Sequence, residues 1–214
     1  IIINDNVFAI FTVLGADIDG DSDIDVFTIE RNNGKISWYE NLDGSGNFGS
    51  QNIISNALDW PIHGVLADLD NDGDIDMLIG VNVINPKGDT GLIYYFKNVG
   101  NSVNPFYEEQ KGTKNPFHNI LLGPLPAPAS VDIDSDGDFD VFVGKKDGKI
   151  AYFENTGSPT SPMFTKRTGA ANPFDGIDVG DNASPFAADM DQDEDFDFFI
   201  GNAAGQILFF KNKK

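Results

Sequence analysis

Four short stretches of this chain place an aspartate at every second position. They are residues 17–25 (DIDGDSDID), 68–76 (DLDNDGDID), 132–140 (DIDSDGDFD) and 189–197 (DMDQDEDFD). Carboxylates at this density repel one another, so a folded loop needs a counter-charge to hold them together. Ca²⁺ supplies one, because it binds about six to eight oxygens and glycine-assisted turns curl loops around it. The pattern therefore predicts four calcium-binding loops.

The acidic charge of the chain is concentrated in these loops. The net charge is −20, and 21 of the 34 acidic residues lie in the four stretches, so the other 13 face 14 lysines and arginines. An acidic chain disfavours nucleic acid and anionic membranes as partners, since both are bound by basic patches. No apolar run approaches the roughly 20 residues of a membrane-spanning helix, so membrane insertion is not expected. There are no cysteines, which excludes disulfides and thiol-based metal sites.

A second motif repeats together with the loops. It is a glycine-led apolar stretch, GKISWYEN, GLIYYFKN, GKIAYFEN and GQILFFKN, whose glycines Gly34, Gly91, Gly148 and Gly205 are each 57 residues apart. Every segment between the motifs has the composition of a strand, and tight turns such as Asn33-Gly34 favour hairpins. Four short antiparallel strands per repeat, with aromatic residues on both faces, are typical of a propeller blade. The sequence thus predicts an all-β propeller with little helix, a single domain over residues 1–214, and a long exposed loop at the insertion 81–90.

The two ends of the chain leave the number of blades open. Aligned on the loops, residues 1–4 correspond to the fourth-strand stretch 52–55, and the last repeat stops after its third strand. This phase suits a ring of four blades that is closed by the N-terminal strand, which would leave no exposed sheet edge. The alternative is a fragment of a larger ring, such as one of seven blades.

Together the loops and markers resemble the calcium-binding FG-GAP repeats of integrin α-subunit propellers, and still more closely the VCBS-type repeats of bacterial secreted and cell-surface proteins. In that family the first, third, fifth and ninth side chains of the loop bind Ca²⁺, and the seventh residue contributes its backbone carbonyl. The resemblance therefore implies up to four Ca²⁺ ions. Their side-chain ligands would be Asp17, Asp19, Asp21 and Asp25; Asp68, Asp70, Asp72 and Asp76; Asp132, Asp134, Asp136 and Asp140; and Asp189, Asp191, Asp193 and Asp197. The carbonyl ligands would be those of Asp23, Asp74, Asp138 and Asp195.

The sixth loop position distinguishes the four copies. Gly73 and Gly137 match the family's glycine, whereas Ser22 and Glu194 do not. A non-glycine residue at positive φ costs about 1 kcal/mol, so loops one and four are expected to bind more weakly, although Gly20 eases the first turn. An EF-hand is excluded, because it requires a glutamate at position twelve and flanking helices.

Nothing in the sequence indicates catalysis. The only histidines, His63 and His118, lie at non-equivalent positions of the repeat, and no nucleophile–base pair is apparent. Trp38 and Tyr39 are expected to pack between blades, while Trp60 is the better candidate for an exposed aromatic. The function predicted from these observations is a calcium-binding, non-catalytic module of a secreted or cell-surface (or periplasmic) protein that binds a protein or carbohydrate. The alternative is an accessory propeller of a secreted carbohydrate-active enzyme.

Overall fold

Each acidic loop connects the first two strands of its own antiparallel sheet. The computed structural model describes residues 2–4, 7, 9–84, 86, 88–158, 160–193 and 195–212. The first sheet contains β1 (Ile10–Ala16), β2 (Asp25–Glu30), β3 (Lys35–Tyr39) and β4 (Asn52–Ser55); the second β5 (Pro61–Ala67), β6 (Asp76–Val83), β7 (Thr90–Asn98) and β8 (Tyr107–Gln110); the third β9 (Ala127–Val131), β10 (Asp140–Gly144), β11 (Ile150–Asn155) and β12 (Phe164–Arg167); the fourth β13 (Ser184–Ala188), β14 (Asp197–Gly201) and β15 (Ile207–Phe210).

The four sheets are the blades of a propeller, as predicted. Strand order within each sheet follows chain order, and the first strands β1, β5, β9 and β13 together line a central cavity of about 660 Å³. The acidic loops all follow these inner strands, so they lie at one end of the propeller. The glycine-led turns between the second and third strands lie at the other end.

Alternation along the strands builds a hydrophobic core between neighbouring blades. Phe27 and Ile36 of the first blade pack with Met77 and Ile79 of the second. Equivalent clusters join the second blade to the third around Leu78, and the third to the fourth around Phe142, Phe198 and Ile200. Because successive side chains of a strand point to opposite faces, each inner blade supplies residues to two cores.

The insertion of the second repeat is only partly a loop. Strands β6 and β7 continue into it, with Val83 paired to Thr90, and Val81 and Asn82 are buried. Only residues 84–89 connect the two strands, and residues 85 and 87 are outside the described part of the chain. The prediction of a long exposed loop over 81–90 is therefore corrected to a longer hairpin with a shorter connection. The reason is that the apolar residues at the start of the insertion continue the pairing of β6 with β7.

The N-terminal residues do not close the fourth blade in the described structure. The fourth sheet has three strands, β13, β14 and β15, and residues 2–4 form no strand, while residue 1 lies outside the described residues. The Asn4 side chain instead donates a hydrogen bond to the Tyr39 hydroxyl of the first blade, at 3.0 Å. The predicted closure is thus wrong for these residues.

Helix is confined to three single turns among the described residues: the 3-10 segments Arg31–Asn33, Gly112–Lys114 and Gly169–Ala171. In this part of the chain, no helix has the length and apolar character needed to cross a membrane.

Candidate metal centres

Two left-handed residues shape each acidic loop. At the sixth position Ser22, Gly73 and Gly137 have φ of 77°, 91° and 94°, which confirms the predicted turn; Glu194 lies outside the described residues. The fourth position is left-handed as well, in Gly20, Asn71, Ser135 and Gln192. Loop one therefore carries one glycine for its two strained positions, as loops two and three do. Ser22 nevertheless is a non-glycine residue at positive φ, as predicted, and loop four has Gln192 at its left-handed fourth position.

Hydrogen bonds within the loops fix the carboxylates in place. The first aspartate of loops one, two and three accepts the backbone N–H of the sixth residue, at distances of 2.9–3.1 Å. The aspartate at the fifth loop position accepts the backbone N–H of the residue at the seventh position in all four loops, at 2.9–3.2 Å. Such short local bonds are typical of aspartate-rich turns. The curled shape is thus held partly by the loop's own backbone.

The folded loops bring three carboxylates together in each repeat, with one oxygen from each within 4.8 Å of the others. In loops two to four these are the aspartates at loop positions one, three and five, and in loop one they are those at positions one, three and nine. The groups are Asp17, Asp19 and Asp25; Asp68, Asp70 and Asp72; Asp132, Asp134 and Asp136; and Asp189, Asp191 and Asp193. Asp21 and the ninth aspartates of the other loops are outside these groups.

The aspartate at the ninth loop position connects the loop to the neighbouring strand by hydrogen bonds, a role that we call a brace. Asp76 is fully buried, and it accepts the backbone N–H of Asn98 at 2.7 Å and the Tyr95 hydroxyl at 2.8 Å. Asp140 repeats this with Asn155 at 2.7 Å and Tyr152 at 2.9 Å. These carboxylates were predicted as ligands, but both of their oxygens already accept strong hydrogen bonds. Asp25 of loop one likewise accepts the backbone N–H groups of Ile18 and Asn41, at 2.9 and 2.8 Å. Their first role in the structure is to connect the loop to its blade.

Several carboxylate oxygens of the loops are buried without a hydrogen-bond partner among the described residues. They are Asp17 Oδ1, Asp19 Oδ1, Asp70 Oδ1, Asp138 Oδ1 and Asp197 Oδ2. Four of these residues, Asp19, Asp70, Asp138 and Asp197, are at most 8% exposed. An unpaired buried carboxylate oxygen costs several kcal/mol unless a cation or a proton satisfies it. The donor set, which is made only of oxygens, fits Ca²⁺ and does not fit zinc, which prefers nitrogen and sulfur.

Burial, together with neighbouring carboxylates, raises the pKa of several loop carboxyls. Burial, followed by the nearby charges of Asp25 and Asp21, raises the pKa of Asp19 to about 6. Burial, followed by the charge of Asp136, raises the pKa of Asp138 to about 6. For Asp76 and Asp140, burial outweighs the hydrogen bonds that these carboxylates accept, and the pKa rises to about 7 in each. The neighbouring carboxylate charges that contribute to these shifts also attract a divalent cation.

Lysine side chains enter two of the four loops. The Lys97 ammonium pairs with Asp70 and, at 3.0 Å, with Asp72. The Lys211 ammonium pairs with Asp191 and, at 3.5 Å, with Asp193. Loops one and three have a glutamate at the equivalent position, Glu40 and Glu154, and Glu154 is held by Arg167 through bonds of 2.6 and 2.8 Å.

Sequence reasoning missed this difference, along with the tyrosine braces and the fourth-position turn. The signal for the lysines was present: the seventh residue of the repeated marker alternates Glu, Lys, Glu, Lys. Trp38 packs between the first two blades as predicted, and Trp60 is 43% exposed as predicted. Tyr39 is buried, but it lies on the opposite face of its strand and accepts a hydrogen bond from Asn4. Trp60 lies at the end remote from the loops, where the Arg31 guanidinium is 5.2 Å from its ring and 4.4 Å from that of Phe11.

Residues 17–79, which contain the first two acidic loops, match the family model of the FG-GAP-like repeat. This stretch is therefore an FG-GAP-like repeat, and the resemblance inferred from the loops is confirmed there. The class of protein that the fold defines is a four-bladed β-propeller, whose first two acidic loops lie in the FG-GAP-like stretch.

Among solved structures the chain is similar to the crystal structure of BBS1N in complex with ARL6DN, soaked with mercury, at 12% sequence identity and a TM-score of 0.46. The similarity covers 97% of this chain and 58% of the other, so the chain spans less than two thirds of that protein's length. No curated protein matches the chain by sequence.

Proposed function

We propose that this chain is a calcium-binding, non-catalytic propeller module that mediates interactions of a secreted or cell-surface protein. The observation that carries the proposal is the repeated set of converging aspartates whose buried oxygens have no partner among the described residues. Asp17, Asp68, Asp132 and Asp189 would anchor one ion each, with the third and fifth aspartates, and the ninth in loop one, completing the carboxylate set. The bound ion supplies positive charge, so its binding free energy adds to the stability of the fold.

The extracellular placement rests on calcium supply. Loops of extracellular modules bind calcium with dissociation constants of about 10⁻⁴–10⁻³ M, which only a calcium-rich compartment fills. Exposed acidic loops of this kind would remain largely empty at the low free calcium of a resting cytosol. FG-GAP-type repeats match this setting, and a propeller offers rigid ends for a protein partner.

A glycan partner, or a role as accessory domain of a carbohydrate-active enzyme, is favoured by one observation. Trp60 is exposed beside Arg31 and Phe11 at the end remote from the loops, and aromatic faces of this kind stack on sugar rings. A glycan-array screen with and without chelator separates this candidate from a protein-binding module. Binding that Trp60→Ala abolishes would favour the glycan, and hydrolase or lyase activity that survives purification would favour the enzyme.

The lysine contacts support a division of the four proposed sites into two classes. In loops two and four a lysine ammonium already neutralises the carboxylates that a cation would bind, so the cation must displace it. Loops one and three contain no such ammonium among the described residues. We therefore expect calorimetric titration with CaCl₂ to resolve two tighter sites and two weaker ones.

Replacement of the lysine in loop two tests this ranking. Lys97→Gln removes a positive charge from contact with Asp70 and Asp72, and it should tighten calcium binding at one weak site at least about tenfold, since like charges at this distance repel by a few kcal/mol. Lys114→Gln, an exposed lysine outside the loops, is the matched control and should leave all affinities unchanged. Four equal sites in the parent chain, or equal effects of the two variants, would contradict the two classes. An absence of any calcium binding would contradict the proposed function itself.

A further inference from the structure

A groove between the second and third blades collects basic side chains, although the net charge of the chain is −20. The groove has a volume of about 580 Å³ and is lined by β7, the end of β8, residues between 113 and 118, and residues 160–164 of the third blade. Lys97, Lys114 and His118 all line it, and the acidic residue of its lining is Asp70. The first and fourth blades pack on the outer sides of these two blades, so the groove lies away from both ends of the array.

The basic side chains are specific to the second repeat. The third repeat keeps the framework of the same segment, since the Asn-Pro-Phe of residues 115–117 recurs at residues 172–174. At the basic positions it has Glu154 in place of Lys97, Ala171 in place of Lys114 and Asp175 in place of His118. The blade fold therefore does not require these basic residues, and their convergence in one groove favours the binding of an anion.

The Lys97 ammonium connects the groove to loop two. It pairs with Asp70 and, at 3.0 Å, with Asp72, and these two carboxylates converge with that of Asp68. A calcium ion at this convergence lies about 2.3–2.6 Å from its oxygen ligands, so it takes the position of the ammonium and repels it. Calcium in loop two would thus release the ammonium, while the Lys97 side chain stays attached at the wall of the groove.

The rest of the lining indicates the class of ligand. Neutral hydroxyl and amide groups, which can hydrogen-bond to sugar hydroxyls, are supplied by Gln110, Thr113, Thr160 and Ser161. Tyr95 and Phe164 are buried, whereas Met163 is exposed, so the lining offers little of the aromatic surface on which protein partners usually anchor. The volume lies within the range of about 300–1,000 Å³ that is usual for small-molecule sites, which suits a short oligosaccharide.

We propose that this groove binds a short acidic saccharide through Lys97 and Lys114, and that calcium in loop two activates the site by displacing Lys97. The carboxylate or sulfate groups of the saccharide would pair with the two ammonium groups. This site depends on the proposed calcium binding by loop two, and Trp60 is not part of its lining. Because the saccharide stabilises the displaced Lys97, calcium and saccharide raise each other's affinity by the same factor.

Calorimetric titration of the whole chain in saturating calcium, with a uronate disaccharide, a sulfated disaccharide and a neutral disaccharide, tests the site. We expect binding of an acidic disaccharide and none of the neutral one, and the two acidic probes distinguish carboxylate from sulfate recognition. Lys97→Gln and Lys114→Gln should each weaken binding at least about fivefold, since each removes one ion pair to the ligand. Lys211→Gln is the matched control, because Lys211 pairs with loop four in the same way but does not line the groove.

Titration with CaCl₂, in the presence and absence of saturating acidic disaccharide, measures the coupling. The disaccharide should tighten one weak calcium site at least about fivefold in the parent chain and in Lys211→Gln. It should leave all calcium affinities unchanged in Lys97→Gln, in which no ammonium has to be displaced from loop two.

Each of the other outcomes overturns the proposal. A chain that binds calcium but no acidic disaccharide lacks this site and keeps the proposed function, whereas a chain that binds no calcium loses both. Saccharide binding that is independent of calcium would contradict the displacement of Lys97. An equal loss in Lys211→Gln would reveal a general effect of charge. A tetraglutamate peptide that binds more tightly than both acidic disaccharides would assign the groove to a protein partner.

Discussion

Removal of divalent cations by EDTA should lower the melting temperature of this protein by more than about ten degrees near pH 8. Without cations, four groups of aspartates face one another, and among the described residues only Lys97 and Lys211 partly compensate their charge. The buried oxygens of Asp19 and Asp138 also stay without a hydrogen-bond partner in this part of the chain. A few kcal/mol of lost binding energy shifts the midpoint of a domain of this size by about 2–4 °C per kcal/mol. Differential scanning calorimetry measures the shift, and excess CaCl₂ should reverse it. An unfolding curve that chelation leaves unmoved would contradict the account.

The change in melting temperature that EDTA causes should depend on pH in a defined direction. The pKa values of Asp19, Asp76, Asp138 and Asp140 are raised to about 6 or 7 in the fold, against about 3.9 for an unfolded aspartate. Between these values the cation-free native state holds more protons than the unfolded state, so its stability falls as pH rises through the window. The gap between the melting temperatures with EDTA and with calcium should therefore be small near pH 5 and large near pH 8. A gap that widens on acidification would have the wrong sign.

Separate substitutions of Asp76 and Asp72 in loop two should distinguish the aspartate that connects the loop to its blade from a proposed calcium ligand. Asp76→Ala leaves the Asn98 N–H and the Tyr95 hydroxyl buried without their acceptor, so it should cost about 3 kcal/mol of unfolding free energy with or without calcium. Asp72→Ala removes an exposed member of the acidic group. Its cost should be mild in calcium, where three other loops remain, and close to zero in EDTA.

Urea denaturation of both variants, with and without calcium, gives the four values. Asp59→Ala, an exposed aspartate outside the loops, is the control and should change neither condition by more than about 0.5 kcal/mol. If Asp76→Ala and Asp72→Ala lost the same stability and showed the same calcium dependence, the ninth aspartate would be an ordinary ligand and not a brace.

The sequence predicted the architecture because both of its signals are local. Alternating aspartates and the marker glycines recur with the repeat, and each sits at the end of a strand whose pairing follows chain order. The N-terminal fourth strand of the last blade was predicted from repeat alignment alone, and residues 2–4 form no strand in the structure.

The positions of the loop carboxylates were predictable, but which of them converge as a group and which bond to the blade was not. Equal spacing makes the first, fifth and ninth aspartates look alike, and only the fold shows that Asp76 and Asp140 face a tyrosine hydroxyl and a backbone N–H. The tyrosines come from a strand about 12 to 19 residues later in the chain, so the pairing depends on strand register. The contacts of Lys97 with loop two and of Lys211 with loop four depend on strand register in the same way.

The central claim is that divalent cations hold the acidic loops of this propeller, and a direct count of metal tests it. The protein is equilibrated with calcium, freed of unbound ions by gel filtration in metal-free buffer, and analysed by elemental mass spectrometry against protein concentration. The account predicts about two calcium ions per chain, from loops one and three, rising to at most four when calcium is kept in the buffer. A chain that carries no calcium under either condition would contradict it.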